Sequence, residues 1–360
     1  MRRLLFINCL LVSLVVSAQD LTVEGLGLKP PKTSCTSVKD QFMSSTCWSF
    51  SSTSLLESEF MKMGKGQVDL SEMFIARYSM LRKIQRHLKL KGANFFTPGG
   101  QFHDGVWVIK NFGLVPEEVY SGKGRNEMNH NHSLMDTALS QLMKEFVAKD
   151  ITELDREQEA SINQLLDYYY GPVPTEFIYK GRTYTPHSFR EQYLGINLDD
   201  YVELTSYTHH PFYTQFILED KYNWTSDKYW NVPLADFSLI TNSALEKGYT
   251  VGWDGDATDY GFDFTNGLAH YLNMIKLSMQ AERQSAFETQ TTQLDHMMHI
   301  TGKVKDNKGE SWYYIKNSWG VSNRYGGFMF MREDYFSIRT VAIIVNKKAI
   351  PPTIRAKLGI

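Results

Sequence analysis

Apolar residues recur at helical spacing through the first third of the chain. Trp48, Phe50, Leu55, Leu56 and Phe60 fall on one face of a helix that opens at Cys47, and Gly64 and Gly66 end it. A second helix is predicted from about Ser71 to Leu90. A third covers Gln101 to Asn111, after the break at Thr97-Pro98-Gly99-Gly100, and stops near Gly113. Residues 125–170 are polar and helix-favouring, which predicts one or two surface helices. Pro172, Pro174 and Pro186 mark a loop-rich connector, and a further helix is predicted over Ala235 to Lys247, capped by Gly248. The pattern then changes. Met298 to Val304, Ser311 to Lys316, Phe328 to Arg332 and Thr340 to Val345 read as strands, the first two joined by a polar hairpin. Helices first and strands last predict an α+β fold with two lobes and a cleft between them. The expected division is a leader over 1–18, a helical lobe over 19–124, an insertion and connector over 125–234, a β-rich lobe over 235–345 and a tail over 346–360.

The leader is predicted from three features in order. Arg2 and Arg3 precede an apolar run from Leu4 to Val16, and Val16-Ser17-Ala18 offers a small-residue cleavage site before Gln19. The run is too short to span a bilayer comfortably, and no later one is longer. The expectation is a secreted or periplasmic protein cleaved near Ala18, with no membrane span afterwards. The formal net charge is −2, and losing two arginines with no acid would make it −4. Such a balance argues against a dedicated nucleic-acid binder. Three cysteines, Cys9, Cys35 and Cys47, cannot make a disulfide scaffold, so stability must come from an ordinary core.

With so few thiols, Cys47 draws attention. A cysteine at the start of a helix feels the positive end of the helix dipole and free backbone N–H groups, which favour the thiolate that attacks carbonyls. Such attack creates an oxyanion that needs preorganised donors. Gln41, six residues upstream, supplies a side-chain N–H, and the backbone N–H of Cys47 supplies another. Taken alone, Cys47 reads equally as a small buried apolar residue. The last third changes that balance. His296 opens one predicted strand and Asn317 closes the next, so the two side chains can meet. An amide oxygen on one ring nitrogen fixes the tautomer and leaves the other nitrogen for the thiol. Trp319 is placed to shield that bond.

Gln41, Cys47-Trp48, His296 and Asn317-Ser318-Trp319-Gly320, in this order, resemble the papain-like cysteine peptidase superfamily. The closer resemblance is to its bleomycin hydrolase and bacterial aminopeptidase C branch. It is carried by Gly99-Gly100-Gln101, Phe112-Gly113-Leu114-Val115-Pro116, Pro174-Thr175-Glu176-Phe177 and Tyr184-Thr185-Pro186-His187-Ser188-Phe189, and runs from about Ser34 to Pro351. It implies a helical lobe with Cys47 as nucleophile and a β-barrel-like lobe with His296 as acid–base and Asn317 as its orienting residue. Gln41 becomes the oxyanion donor, peptides the substrates, and no metal or organic cofactor is needed. A homo-oligomer, hexameric in the branch, is a further implication. Three departures stand out. Ser44 to Thr46 replace a glycine that relatives often place before the cysteine, and Met297 stands where alanine often follows the histidine. The tail from Asn346 to Ile360 is short for the C-terminal arm whose carboxylate holds the substrate amine in the branch. Aminopeptidase action is therefore expected ahead of an open-cleft endopeptidase or a silent peptide-binding scaffold. A transglutaminase-like acyl transferase is disfavoured by Asn in place of an acidic orienter.

Other features read as structural. His296 and His299 lie three apart, on opposite faces of a strand, with no further metal ligand nearby. His299 is expected in the core, and His130, His132, His209 and His210 in solvated loops. The basic run Arg82, Lys83, Arg86, His87, Lys89 and Lys91 reads as a solvated helix face. Asp254 and Asp256 resemble a calcium loop, but Tyr260 and Thr265 stand where ligands are needed, so a turn near the cleft is expected. Cys35 is a spare thiol with one alternative, a reversible disulfide to Cys47.

Overall fold

A computed structural model describes residues 21–124 and 127–360. The predicted leader lies outside the described residues. The chain runs through α1 (Cys47–Lys62), α2 (Glu72–Lys89), α3 (Phe102–Phe112), α4 (Ser133–Ala148) and α5 (Arg156–Tyr170). A short hairpin of β1 (Phe177–Tyr179) and β2 (Arg182–Tyr184) and a helical turn, α6 (Pro186–Ser188), follow. The remainder is β3 (Tyr201–Thr205), β4 (Gln215–Ile217), β5 (Lys228–Asn231), α7 (Leu234–Glu246), β6 (Val251–Gly255), β7 (Phe262–Asp263), β8 (Leu268–Ala269), α8 (Met279–Glu288), β9 (His296–Lys305), β10 (Ser311–Lys316), β11 (Phe328–Arg332), α9 (Glu333–Arg339), β12 (Thr340–Asn346) and α10 (Pro352–Leu358).

One sheet organises the second half, in the order β4-β5-β3-β12-β6-β9-β10-β11-β8-β7. Its pairs are antiparallel except β3 with β5 and β11 with β8. Strands 201–205, 215–217 and 228–231 belong to it, although the sequence reading assigned that stretch to a connector. These strands are short, and β4 and β5 lack the apolar–polar alternation that marks a strand, so their signal is weak. Alternation then divides the core. Met297 and Ile344 face the helical side and join the cluster built by α1 to α5, while Trp253, Met298, Ile300, Ile343 and Val345 face the other side with α7 and α10.

α1 is buried along nearly its whole length, not along one stripe. Its sequence explains how. Between the large apolar residues sit Ser49, Ser51, Ser52, Thr53 and Ser54, small enough for close approach and each bonded locally or across the interface. Ser51 Oγ donates to the Met298 carbonyl at 2.6 Å, and Thr53 Oγ1 donates to Glu72 at 2.7 Å. Burial of these hydroxyls is tolerated because each has a partner. The helix that begins at Cys47 is thereby pinned to the strand that begins at His296.

Candidate active site

The turn before α1 sets the thiol. Gln41 pairs with the strand-end segment of Ser318 through its backbone N–H, 2.8 Å from the Ser318 carbonyl, and Phe42–Ser44 form a 3-10 turn. Ser45 then takes φ 54°, the left-handed region. This is the physical reason a glycine suits the segment; a serine there carries a steric cost of about 1 kcal/mol. Thr46 caps α1 without a side-chain bond, so first-turn N–H groups remain available at Cys47.

His296 is buried at the start of β9. Its Nε2 lies 2.7 Å from Asn317 Oδ1, and the same oxygen accepts the Ser318 backbone N–H at 2.7 Å. Because a backbone N–H can only donate, that Asn317 atom is the amide oxygen. The His296 nitrogen facing it must therefore be the protonated one. In the neutral ring Nδ1 is bare. Trp319 lies over the imidazole with ring centroids 4.5 Å apart and planes 30° from parallel. Gln41 is fixed in turn, since Ser318 Oγ donates to its Oε1 at 2.7 Å and leaves Nε2 as the free donor.

Gln41, Cys47, His296 and Trp319 line one cavity of about 270 Å³. Gly99, Gly100, Tyr222, Leu294 and Met297 form its other side. Burial pushes the Cys47 thiol up to about 12, against the N–H groups of Met297 and Trp48 that favour the thiolate. Charge on Asp254 and Asp295 adds to the rise, and burial in turn shifts Asp254 itself upward. Burial also lowers His296 to about 4, opposed by its bond to Asn317. The resting pair is thus neutral thiol and neutral imidazole. Moving the proton from sulfur to Nδ1 creates both charges together, so their mutual attraction offsets the desolvation each would suffer alone.

Several supporting residues depart from the sequence reading. Lys83 is not on a solvated face but buried, with its ammonium donating to the carbonyls of Thr97 (3.0 Å), Pro98 (3.1 Å) and Gly99. It holds the loop that forms one cleft wall. Burial lowers its pKa to about 8. His130 and His132 are buried, not solvated, and burial lowers them to about 3 and about 4. Aromatic contacts to Phe50 and Tyr170 enclose them. His209 and His210 do reach solvent, where both approach Glu219. Asp254 lies in β6 and not in a turn, while Asp256 does organise one by accepting N–H groups of Thr258 and Asp259, each at 2.9 Å. His299 is buried, as expected. Lys316 donates to Ser54 Oγ at 2.8 Å, so the Ser54 hydroxyl is free to donate to His299 Nδ1 at 2.9 Å.

Cys35 and Cys47 are both free thiols. Thr36, beside Cys35, bonds Glu57 of α1. That anchor lies ten residues, or roughly 15 Å, along the helix from Cys47 at 1.5 Å per residue. The two sulfurs are not bonded, so the structure holds the reduced pair and not the disulfide raised for Cys35.

A tail reaching the cleft is also absent among the described residues. α10 instead packs Ile354 and Leu358 into the core on the α7 face of the sheet, opposite α1, and Ile360 joins them. Lys357 donates to Tyr213 Oη at 3.1 Å, and the Ala349 carbonyl accepts from Ser243 and Lys247.

Comparison with known proteins agrees with this arrangement. A model of the Peptidase C1-like family matches residues 31–359. Aminopeptidase C of Listeria monocytogenes is 26% identical over 359 residues, covering 86% of this chain and 80% of the relative. Aminopeptidase E of Lactobacillus helveticus is 23% identical, covering 86% of this chain and 81% of the relative. Among solved structures, PepW from Lactobacillus rhamnosis superposes with a TM-score of 0.70 at 17% identity, covering 92% of this chain and 85% of that one. The fold is therefore the papain-like α+β arrangement of two lobes, and this chain belongs to the Peptidase C1-like family.

Proposed function

We propose that this protein is a cysteine peptidase that removes residues from the amino terminus of peptides. The reading rests on one observation above all: the Ser318 N–H identifies the Asn317 oxygen, which fixes the His296 tautomer and leaves Nδ1 bare in the cavity it shares with Cys47. In this reading Cys47 Sγ attacks the scissile carbonyl carbon as His296 Nδ1 takes the thiol proton. Gln41 Nε2 and the Cys47 backbone N–H receive the oxyanion. Collapse breaks the C–N bond, His296 returns the proton to the leaving amine, and a thioester remains. Water, activated by the same imidazole, then releases the new carboxyl group and the thiol.

Exopeptidase action is supported by the cleft wall. Leaving amine and His296 must meet, so the acyl side of the substrate extends the other way, toward Gly99, Tyr222 and Met297. There the Tyr222 ring lies so close to Gly99 that an added Cβ would sit 2.7 Å from it. Little room is left for residues preceding the scissile one. The names of the relatives point the same way. One observation favours an endopeptidase as second reading: α10 is seated on the far face of the sheet, away from the cleft. Two fluorogenic peptides of one sequence, one with a free amine and one acetylated, decide between them, with Cys47→Ala as control. Cleavage of the free peptide alone supports the first reading, and equal cleavage of both supports the second.

We further infer from Arg2 to Ala18 that the protein is exported. Amino-terminal sequencing of protein recovered from its native compartment tests this, with Gln19 as the expected first residue.

A further inference from the structure

We propose that the carboxyl group of Asp254 is the receptor for the substrate's α-ammonium group. The proposal rests on the aminopeptidase reading and supplies what that reading requires, an anionic partner for the substrate amine.

Asp254 lines the same cavity as Cys47 and His296, on β6, one residue in from the edge where Gly255 pairs with His296. It pairs with Met297 across the strands, so both side chains point to the helical face, on the acyl side of the cleft. Among the described residues, both its oxygens are buried and neither has a hydrogen-bond partner. A carboxyl group in that condition costs several kilocalories per mole unless something satisfies it. Its neighbour Asp295 differs. Each Asp295 oxygen already accepts a bond, from the Ala257 N–H at 2.8 Å and from Thr258 Oγ1 at 2.7 Å. Asp254 is therefore the one of the two cleft aspartates with its full acceptor capacity unused.

The chemistry also fits the position. In a substrate cut after its first residue, the α-nitrogen lies only about 2.5 Å from the scissile carbonyl carbon, two bonds away. The receptor must then be close to the nucleophile, and Asp254 lines the cavity that holds Cys47. Burial shifts the Asp254 carboxyl well above the usual carboxylate range, against its charged form. An arriving ammonium group supplies the counter-charge that favours that form. A blocked or uncharged terminus supplies none and leaves the site unsatisfied, which is how buried polar groups reject the wrong ligand most strongly.

The test compares a fluorogenic amino-acid amide with its analogue lacking only the α-amino group, on wild type, Asp254→Asn, Asp254→Ser and Asp295→Asn. Wild type should prefer the amine at least tenfold in kcat/KM. That preference should collapse toward unity in both Asp254 variants, chiefly through KM for the amine. Asp295→Asn should keep the preference. Survival of the preference in the Asp254 variants, or its loss only in Asp295→Asn, overturns the proposal. Absence of any preference in wild type instead overturns the aminopeptidase reading itself. If the Asp254 variants do not fold, infrared difference spectra of wild type with the amine, using aspartate labelled with carbon-13, take their place. The aspartate carboxyl bands should shift on binding the amine, and an unchanged spectrum overturns the proposal.

Discussion

The Ser318 hydroxyl donates to Gln41 Oε1 at 2.7 Å, and this bond sets which end of the Gln41 amide faces the cleft. Ser318→Ala frees the amide to turn. The expected result is a fall in kcat of roughly tenfold with KM nearly constant, because the bond matters only when the oxyanion forms. Gln41→Ala, which removes the donor outright, should lower kcat by about 10²–10³. Steady-state kinetics on both variants check the order.

Activity needs neutral His296, whose pKa burial lowers to about 4. A group with a depressed pKa is deprotonated above that value, so kcat/KM should rise with pH through about 4 and then level off. The free imidazole value near 6.5 should leave no mark. Asn317→Asp places a carboxylate against the ring and stabilises its cation, so the acid limb should move upward in pH. A pH–rate profile of wild type and variant measures both.

Lys83→Met removes three charge-assisted bonds from the carbonyls of Thr97, Pro98 and Gly99 while keeping most of the buried stem. The loop should loosen. Expected are a loss of about 2–3 kcal/mol in unfolding free energy, in the range of bonds to charged groups, and a higher KM. Denaturant melts and kinetics test the two together.

Tyr222→Ala should open the wall beside Gly99. Acetylated peptides resistant to wild type should then be cut, with free-amine substrates slowed by less than tenfold. Unchanged resistance would locate the block elsewhere.

Because Cys35 and Cys47 are both free, protein purified without reductant should titrate two thiols, and Cys35→Ser should keep full activity without reductant.

Much of this site was legible in the sequence, because spacing alone brings its members together. A cysteine opening a helix and a His and Asn at neighbouring strand ends need only the lobes to meet. The supporting residues were not legible, for reasons of packing. Lys83 looks like one more charge on a basic helix until the 97–99 carbonyls turn toward it. His130 and His132 sit in a polar stretch, and only tertiary contacts with Phe50 and Tyr170 bury them. Asp254 lies among glycines that suggest a turn, yet Gly252 is there because an added Cβ would strike Ile344 and Phe102. Close approach of strand to helix, not chain reversal, explains that glycine. Serines and threonines dilute the apolar pattern of α1, which hid how deeply it is buried.

That depth has a mechanical consequence. The hydroxyls of α1 lock it to β9 through the Met298 carbonyl and His299, only two and three positions beyond His296. Nucleophile and base therefore ride on one stiff body, although they belong to different lobes. Parting them would break the Ser51 and Ser54 bonds to β9, so their register is built into the packing and needs no closing motion.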